Sequence, residues 1–296
     1  MEADCLKPVT IDDISLIEHY LKLANYEESN HNVVNMMIWL DLFKLYQWHD
    51  DDMMIIICVF KDITFAYMPL CTEKHFINAI DRIEAIFTKL DKPVVLNCFT
   101  QNEVDYLKAC GKDLPFVEYA DINDYIYPTE KLRTLSGKKL QKKRNNLNYF
   151  LKTYEGRFTY ESLNRTNIEE CRDFLDDWRD NECDEFLVNE NVGIERIFDH
   201  WDKFNISGGL IKIDGCVRAF IIGSELSANM GQINVEKADE EIRGLYQAIL
   251  KEYLNVNMLD KEYLNREDDM GKPNLRQAKM AYNPAFMIKK FITKGS

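Results

Sequence analysis

Apolar positions along the chain recur with two spacings, one helical and one extended. Ile14, Ile17, Leu21 and Ala24 keep helical spacing behind Thr10 and Asp13, a pair set three apart as in a capping box, so a helix opens the chain. Residues 33–46 are apolar on most sides and predict a buried helix. Residues 53–60, Lys61-Asp62 and 63–70 read as strand, tight turn and strand. Ile77, Ile80, Ile83 and Ile86 mark a helix over 76–90, and residues 93–96 follow as a short buried strand. Thr100 and Glu103 cap a helix ending near Gly111, and residues 116–127 read as a closing strand.

The second half repeats that order. Thr166 and Glu169 cap a helix with Ile168, Cys171, Leu175 and Trp178 on one face, and Ile194, Ile197, Phe198 and Trp201 mark the next. Asp214-Gly215 between two apolar runs is the clearest hairpin signal, because this dipeptide favours the tight primed turns. A strand at 231–236, a helix at 244–254, a strand at 263–266, a helix at 274–281 and a last strand at 286–292 complete the pattern. The repeat predicts an α/β protein of two tandem halves, each a mixed, mostly antiparallel sheet flanked by helices. The expected division is 1–127, a basic connecting segment at 128–160, and 161–296.

Length and composition fit this picture: 296 residues suffice for two modest domains, and 46% hydrophobic with 29% charged residues is ordinary globular usage. The longest apolar run, residues 53–60, is far short of the ~20 residues of a membrane helix, so no span is expected. Residues 1–4 show neither a basic nor an apolar leader pattern, which points to a cytoplasmic protein. The eight cysteines contain no C-x-x-C pair and the five histidines are scattered; reduced core thiols and no metal site are expected.

Charge is unevenly spread. The net charge is −13, yet Lys131, Arg133, Lys138, Lys139, Lys142, Lys143, Arg144 and Lys152 fall in a 131–152 segment without an acid, so that segment carries +8 and the remainder −21. Such a block is an electrostatic footprint for a polyanion. On a helix, Lys138 and Lys142, and likewise Lys139 and Lys143, stand side by side, with Leu140 and Leu147 anchoring the other face. Ser136-Gly137-Lys138-Lys139 is not a P-loop, since Leu132 occupies the required glycine position. Neither a G-x-S-x-G elbow nor a dinucleotide G-x-G-x-x-G is present.

Two further segments carry candidate chemistry. Residues 235–246 run from a strand end through a polar loop to a helix opening at Arg243-Gly244-Leu245-Tyr246, where free N–H groups suit a phosphate. This order resembles the pyrophosphate loop of the acyl-CoA N-acyltransferase (GNAT) superfamily, Q/R-x-x-G-x-G/A, with Glu241 and Tyr246 departing from it and Asp239, Glu240 and Glu241 opposing a diphosphate. Residues 263–284 place Asn265-Arg-Glu-Asp268-Asp-Met-Gly271 after a strand, then Arg276, Lys279, Tyr282 and Pro284.

Taken together, Asn35-Met-Met-Ile-Trp39, the Leu135-Ser-Gly-Lys-Lys-Leu-x-Lys-Lys-Arg-Asn145 run, Asn265-Arg-Glu-Asp-Asp-x-Gly271 and Lys279-x-x-Tyr282-x-Pro284 resemble bacterial proteins related to the C-terminal domain of phosphatidylglycerol lysyltransferase. The resemblance implies two tandem GNAT-like folds and transfer of an aminoacyl group from aminoacyl-tRNA to an amine or hydroxyl of a small-molecule or peptide acceptor. In that chemistry Lys279 serves the oxyanion or terminal phosphate, Tyr282 donates or orients a proton, Asn265 holds the donor's amide groups and Asp268 receives the acceptor's proton or ammonium. Lys138, Lys139, Lys142, Lys143 and Arg144 would hold tRNA. Two other readings use the same features: a CoA-dependent N-acyltransferase with Arg243 and Gly244 on the pyrophosphate, and a binding module for RNA or a nucleotide. The donor, aminoacyl-tRNA or acyl-CoA, is a substrate rather than a tightly bound cofactor.

Overall fold

The computed structural model describes residues 6–179 and 184–293, for 177–179 the backbone alone, so the expected place of the Trp178 side chain on its helix face lies outside the described residues. In chain order its strands are β1 (Lys7–Pro8), β2 (Leu45–His49), β3 (Met53–Phe60), β4 (Ile63–Tyr67), β5 (Leu70–Cys71), β6 (Leu96–Asn97), β7 (Phe116–Glu118), β8 (Asp124–Pro128), β9 (Phe158–Ser162), β10 (Ile206–Ile213), β11 (Cys216–Glu225), β12 (Met230–Ala238), β13 (Tyr263–Asn265), β14 (Phe286–Ile288) and β15 (Phe291–Thr293).

Each half centres on one mixed sheet, as the repeated pattern predicts. In the first, the order is β1-β2-β3-β4-β6 with β5 beside β3; β4 and β6 run parallel and the other pairs are antiparallel. In the second, the order is β14-β8-β13-β12-β11-β10-β9, with β12 and β13 as the parallel pair. The hairpin at Asp214-Gly215 forms as predicted, both residues taking positive φ of 51° and 85°.

Three expected elements break where tertiary pairing overrides local pattern. The helix expected over 33–46 is two short helices, Val33–Ile38 and Leu40–Phe43, because Leu45 and Gln47 turn their side chains into the first sheet as part of β2. The closing strand expected over 116–127 is β7, a turn of 3-10 helix at Ala120–Ile122, and β8. The last expected strand is split into β14 and β15, which join different sheets.

This splitting ties the halves together. β8 inserts between β13 and β14 in the second sheet, while β15 returns to pair with β7, and the Thr293 hydroxyl accepts the Leu96 N–H at 2.9 Å. An apolar core also runs across the junction, from Ile14, Met37 and Ile56 to Ile194, Phe198 and Phe220. The helices Val33–Ile38 and Glu185–Asp199 meet so closely that a Cβ on Gly193 would lie 2.1 Å from the Ile38 carbonyl oxygen, so that contact requires glycine. Of the cysteines, Cys58, Cys71, Cys98 and Cys171 are buried thiols, whereas Cys110 and Cys216 are exposed; Cys5 and Cys183 lie outside the described residues.

Candidate active site

The strand exchange leaves a cavity of about 1530 Å³ between the halves. Its first-half wall is aromatic: Trp39, Phe43, Phe60, Phe65 and Tyr67, joined by Phe186 from across the junction. Phe43 is a hub of this wall, with ring centroids 5.4 Å from Phe60 and 6.3 Å from Phe65. The second-half wall is polar and charged, built by the end of β12, the loop after β13, and the helix Pro273–Met280. An apolar wall facing a charged one suits a ligand with a reactive polar head and an apolar body.

The loop after β13 separates three consecutive acids by giving each a different surrounding. Asp269 is buried and bound by Arg276 through two hydrogen bonds of 2.8 Å, with the Tyr125 hydroxyl donating at 2.5 Å; against the cost of burial these partners and the Gly271 N–H hold its carboxyl below the usual range. Asp268 lines the cavity and accepts the Met270 N–H at 2.9 Å; burial pushes its carboxyl up, against the charges of Lys290 and Lys279. Glu267 also lines the cavity, and its carboxylate accepts only amide hydrogens, from Gln232 at 2.6 Å and Asn35 at 3.1 Å. Burial pushes it up to about 8, with Lys279 and Gln232 opposing and Asp268 adding to the rise. Its backbone sits in the left-handed region, φ 57°, an uncommon place for a residue with a long side chain.

Lys279 and Asn265 hold that conformation in place. The Lys279 ammonium, half-buried on the cavity wall, donates to the carbonyls of Arg266 (2.6 Å) and Asp268. Burial pulls its pKa down while Asp268 and Glu267 oppose the fall. Asn265 does not line the cavity: it is fully buried, accepts the Glu267 N–H at 2.7 Å, and donates to the Glu27 carbonyl and to Asp124. Asp124 in turn pairs with Lys290 at 2.7 Å, both fully buried, with Ser29 and Asn30 completing the network.

Beside this loop lies a second cluster. Arg266 pairs with Glu236 on β12 and stacks over Tyr282, its guanidinium carbon 4.7 Å from the ring centroid. Burial disfavours its charge, but Glu236, Tyr282 and Tyr127 together more than offset that and hold it cationic. On the same ring the Lys143 ammonium sits 4.1 Å from the centroid; burial, then Arg266, pushes Lys143 down to about 8. The Tyr282 hydroxyl accepts from Gln247 at 3.0 Å, and burial raises its pKa so that it stays protonated at neutral pH.

The basic segment leads to this cluster. Lys138 and Lys139 occupy a 3-10 turn and the helix proper begins at Gln141, so the expected stacking of Lys138 on Lys142 along one helix does not form as such. Lys138, Lys139 and Lys142 are exposed, Lys139 touching Asn283 at 2.9 Å, while Lys143 turns inward to the cavity. Arg144 instead staples the preceding turn, donating to the carbonyls of Leu135 and Gly137. Leu140 and Leu147 are buried as expected.

The loop before the helix Leu245–Val256 is used for packing at Arg243-Gly244-Leu245. Gly244 has φ 91°, and a Cβ there would lie 2.1 Å from the Asn146 carbonyl oxygen on the basic helix. Arg243 reaches the Asn146 side chain at 3.0 Å and covers the Tyr149 ring, and Leu245 is fully buried. Tyr246, with Gln247 and Glu240, lines the cavity. Thus the structure brings Lys143, Tyr246, Asp268, Lys279 and Tyr282 to one cavity; Asn265 lies behind it, Lys138, Lys139, Lys142 and Arg144 do not line it, Arg243 and Gly244 meet the basic helix, and Leu245 is buried in the core.

Sequence reasoning passed over Glu267, Arg266 and Glu236 as functional groups. A usable signal was the stripe Gln232-x-Asn234-x-Glu236, polar at every second position between buried Ile233 and Val235, which marks one face of a strand as a polar floor. Among the described residues, no three His, Cys, Asp or Glu side chains are grouped to hold a metal ion, and no helix is long and apolar enough to cross a membrane.

Over residues 22–294 the chain belongs to the family described as phosphatidylglycerol lysyltransferase, C-terminal. A conserved protein of unknown function from Bacteroides thetaiotaomicron VPI-5482 is 26% identical, with TM-score 0.91 over 98% of this chain and 99% of that one. L-PGS from Bacillus licheniformis superposes with TM-score 0.68 at 11% identity, covering 98% and 93%. A tandem GNAT protein from the clavulanic acid biosynthesis pathway gives 0.51 at 9% identity, covering 98% of each. The two halves are therefore GNAT-like folds in tandem, and the relatives with named activities are transferases.

Proposed function

We propose that the protein moves an aminoacyl group from aminoacyl-tRNA to an amine or hydroxyl of a small-molecule or peptide acceptor. The observation that carries this reading is the course of the basic segment: Lys138, Lys139 and Lys142 lie exposed, and Lys143 of the same segment turns into the cavity beside Arg266, Glu267, Lys279 and Tyr282. A polynucleotide held on the exposed lysines through its phosphates would present its esterified 3′ end to that cavity.

For an amine acceptor, its nitrogen attacks the ester carbonyl while Glu267, ionised at or above about pH 8, takes the proton. The C–N bond forms as the ester C–O bond to the ribose breaks, and Tyr282 gives its proton to the departing ribose oxygen; water then restores both groups. Arg266 and Lys279 offer positive charge to the oxyanion of the tetrahedral intermediate. Before attack Asp268 takes the first proton of the acceptor's ammonium and passes it to water, freeing the nitrogen lone pair, and Asn265 acts as a positioning residue behind Glu267.

An acyl-CoA donor has less support, because Gly244 is filled by the basic helix and Glu240 faces the cavity from the loop where a diphosphate would need positive charge. The test is a labelled-donor assay: mixed aminoacyl-tRNA, and separately acetyl-CoA, incubated with the protein and a bacterial small-molecule and peptide fraction. Loss of label from tRNA into a new product is expected. Acetyl transfer without any loss from tRNA would replace this reading with the CoA one.

A further inference from the structure

Two charged groups in the cavity wall are only half used. Arg266 and Glu236 pair through Nη2 and Oε2, yet Arg266 Nη1 and Glu236 Oε1 are buried without a hydrogen-bond partner. The Glu236 side chain is 9% exposed and that of Arg266 13%. Leaving a charged group's atom unpaired in a buried position is costly, and native proteins rarely do so without a ligand or water to fill the place. Both residues line the cavity, where the Tyr282 ring packs against the Arg266 guanidinium and the Lys143 ammonium sits over that ring.

The two unpartnered atoms have opposite demands. Oε1 of a carboxylate accepts only, and calls for an N–H or O–H donor, best a cation; Nη1 of a guanidinium donates only, and calls for a carbonyl or anionic oxygen. A ligand that satisfies both carries an ammonium and an oxygen acceptor a short distance apart. An α-aminoacyl ester has that constitution, the ammonium one carbon from the carbonyl; a plain acyl group lacks the first element.

We infer that Glu236 and Arg266 form the reading site for the α-ammonium of the donor's aminoacyl group, with Glu236 Oε1 accepting from the ammonium and Arg266 Nη1 donating to the ester carbonyl oxygen. This rests on the aminoacyl-transfer reading above and adds that the enzyme requires a free α-amine. Arg266 and Glu267 line the same cavity, so the ester carbonyl held by Arg266 shares that space with the base. Discrimination comes from the acceptor-only chemistry of Oε1, which an isosteric hydroxyl serves more weakly than a cation does.

The experiment uses the amino acid found to transfer in the assay above. tRNA charged with it is compared, under single turnover, with tRNA charged with its α-hydroxy acid analogue and with its Nα-acetyl form. The wild-type chain should favour the free amine by about tenfold or more, the worth of a hydrogen bond to a charged group. Glu236→Gln, which keeps a side-chain oxygen for Arg266, should bring the amino and α-hydroxy donors to within about threefold of each other, mainly by slowing the amino donor. Equal transfer of all three donors by the wild type overturns the inference while leaving aminoacyl transfer standing. Retained preference in a folded Glu236→Gln also overturns it, since another group then reads the amine. Should that variant not fold, the wild-type comparison alone decides. If the assay above finds no amino acid that leaves tRNA, the aminoacyl reading itself falls, and the inference with it.

Discussion

Asn265 sets the conformation of Glu267: its side-chain oxygen accepts the Glu267 N–H at 2.7 Å, while its amide nitrogen is tied to Asp124 at 2.9 Å and to the Glu27 carbonyl at 3.1 Å. The turn so formed holds Glu267 at φ 57° and aims a carboxylate with amide partners only into the cavity between the halves. In the proposed reaction Asn265 acts through that neighbour, and its burial lets it hold the neighbour rigidly.

Glu267→Gln should lower transfer by about 10²–10⁴-fold, the usual contribution of a general base, with donor binding little changed. Glutamine keeps an oxygen for the Asn35 and Gln232 amides but accepts no proton. Single-turnover rates and donor affinity measured on the same preparations check this. Unchanged rates would take Glu267 out of the chemistry.

The same group sets a stability trend with pH. Its pKa is raised from an ordinary 4.5 to about 8 in the folded chain, so between those values the folded protein holds a proton that the unfolded chain has released. Its contribution to stability is then favourable at the acid end and is lost as pH rises through that window. Thermal unfolding should show Glu267→Gln gaining on the wild type as pH rises from 5 to 9. A constant difference across that range would contradict the raised pKa.

Asp124→Ala should destabilise the fold by about 3–5 kcal/mol, because it strands the fully buried Lys290 ammonium. Adding Lys290→Met should recover most of the loss, since no buried charge then remains unpaired. Urea unfolding of both variants tests the pair, and a mild single-variant effect would show that the Ser29 and Asn30 hydrogen bonds suffice for Lys290.

Replacing Lys138, Lys139 and Lys142 with glutamine should weaken tRNA binding and flatten its salt dependence by a slope of roughly 0.7–0.9 for each phosphate no longer neutralised. The three side chains are exposed, so stability should hold within about 0.5 kcal/mol. An unaltered salt slope would return this segment to ordinary surface.

Much of the fold was legible because its strongest signals are local. The Asp214-Gly215 hairpin and the isoleucine ladder of the helix Phe76–Lys89 depend on neighbours within a few positions. β8 was not legible as a member of the second sheet, nor β15 as the partner of β7 in a separate two-stranded sheet, since their partners lie more than 100 residues away and a short apolar run carries no mark of its partner. The site divides in the same way. Lys279 and Tyr282 stand out as a polar cluster after a strand, and both reach the cavity. Which of three adjacent acids suits the proposed base depends on Arg276 and Tyr125 claiming Asp269, and on Glu267 having, among the described residues, the amides of Gln232 and Asn35 as its hydrogen-bond partners. No window around residue 267 contains that information.

The central claim, that aminoacyl-tRNA is the donor and Glu267 the base, is tested most directly by single-turnover transfer from labelled aminoacyl-tRNA across pH 6–9. The account predicts a rate that climbs with pH and levels off above about 8 in the wild type, and a small, pH-independent rate in Glu267→Gln. A wild-type rate indifferent to pH in that range, or a Glu267→Gln rate equal to it, would contradict the account.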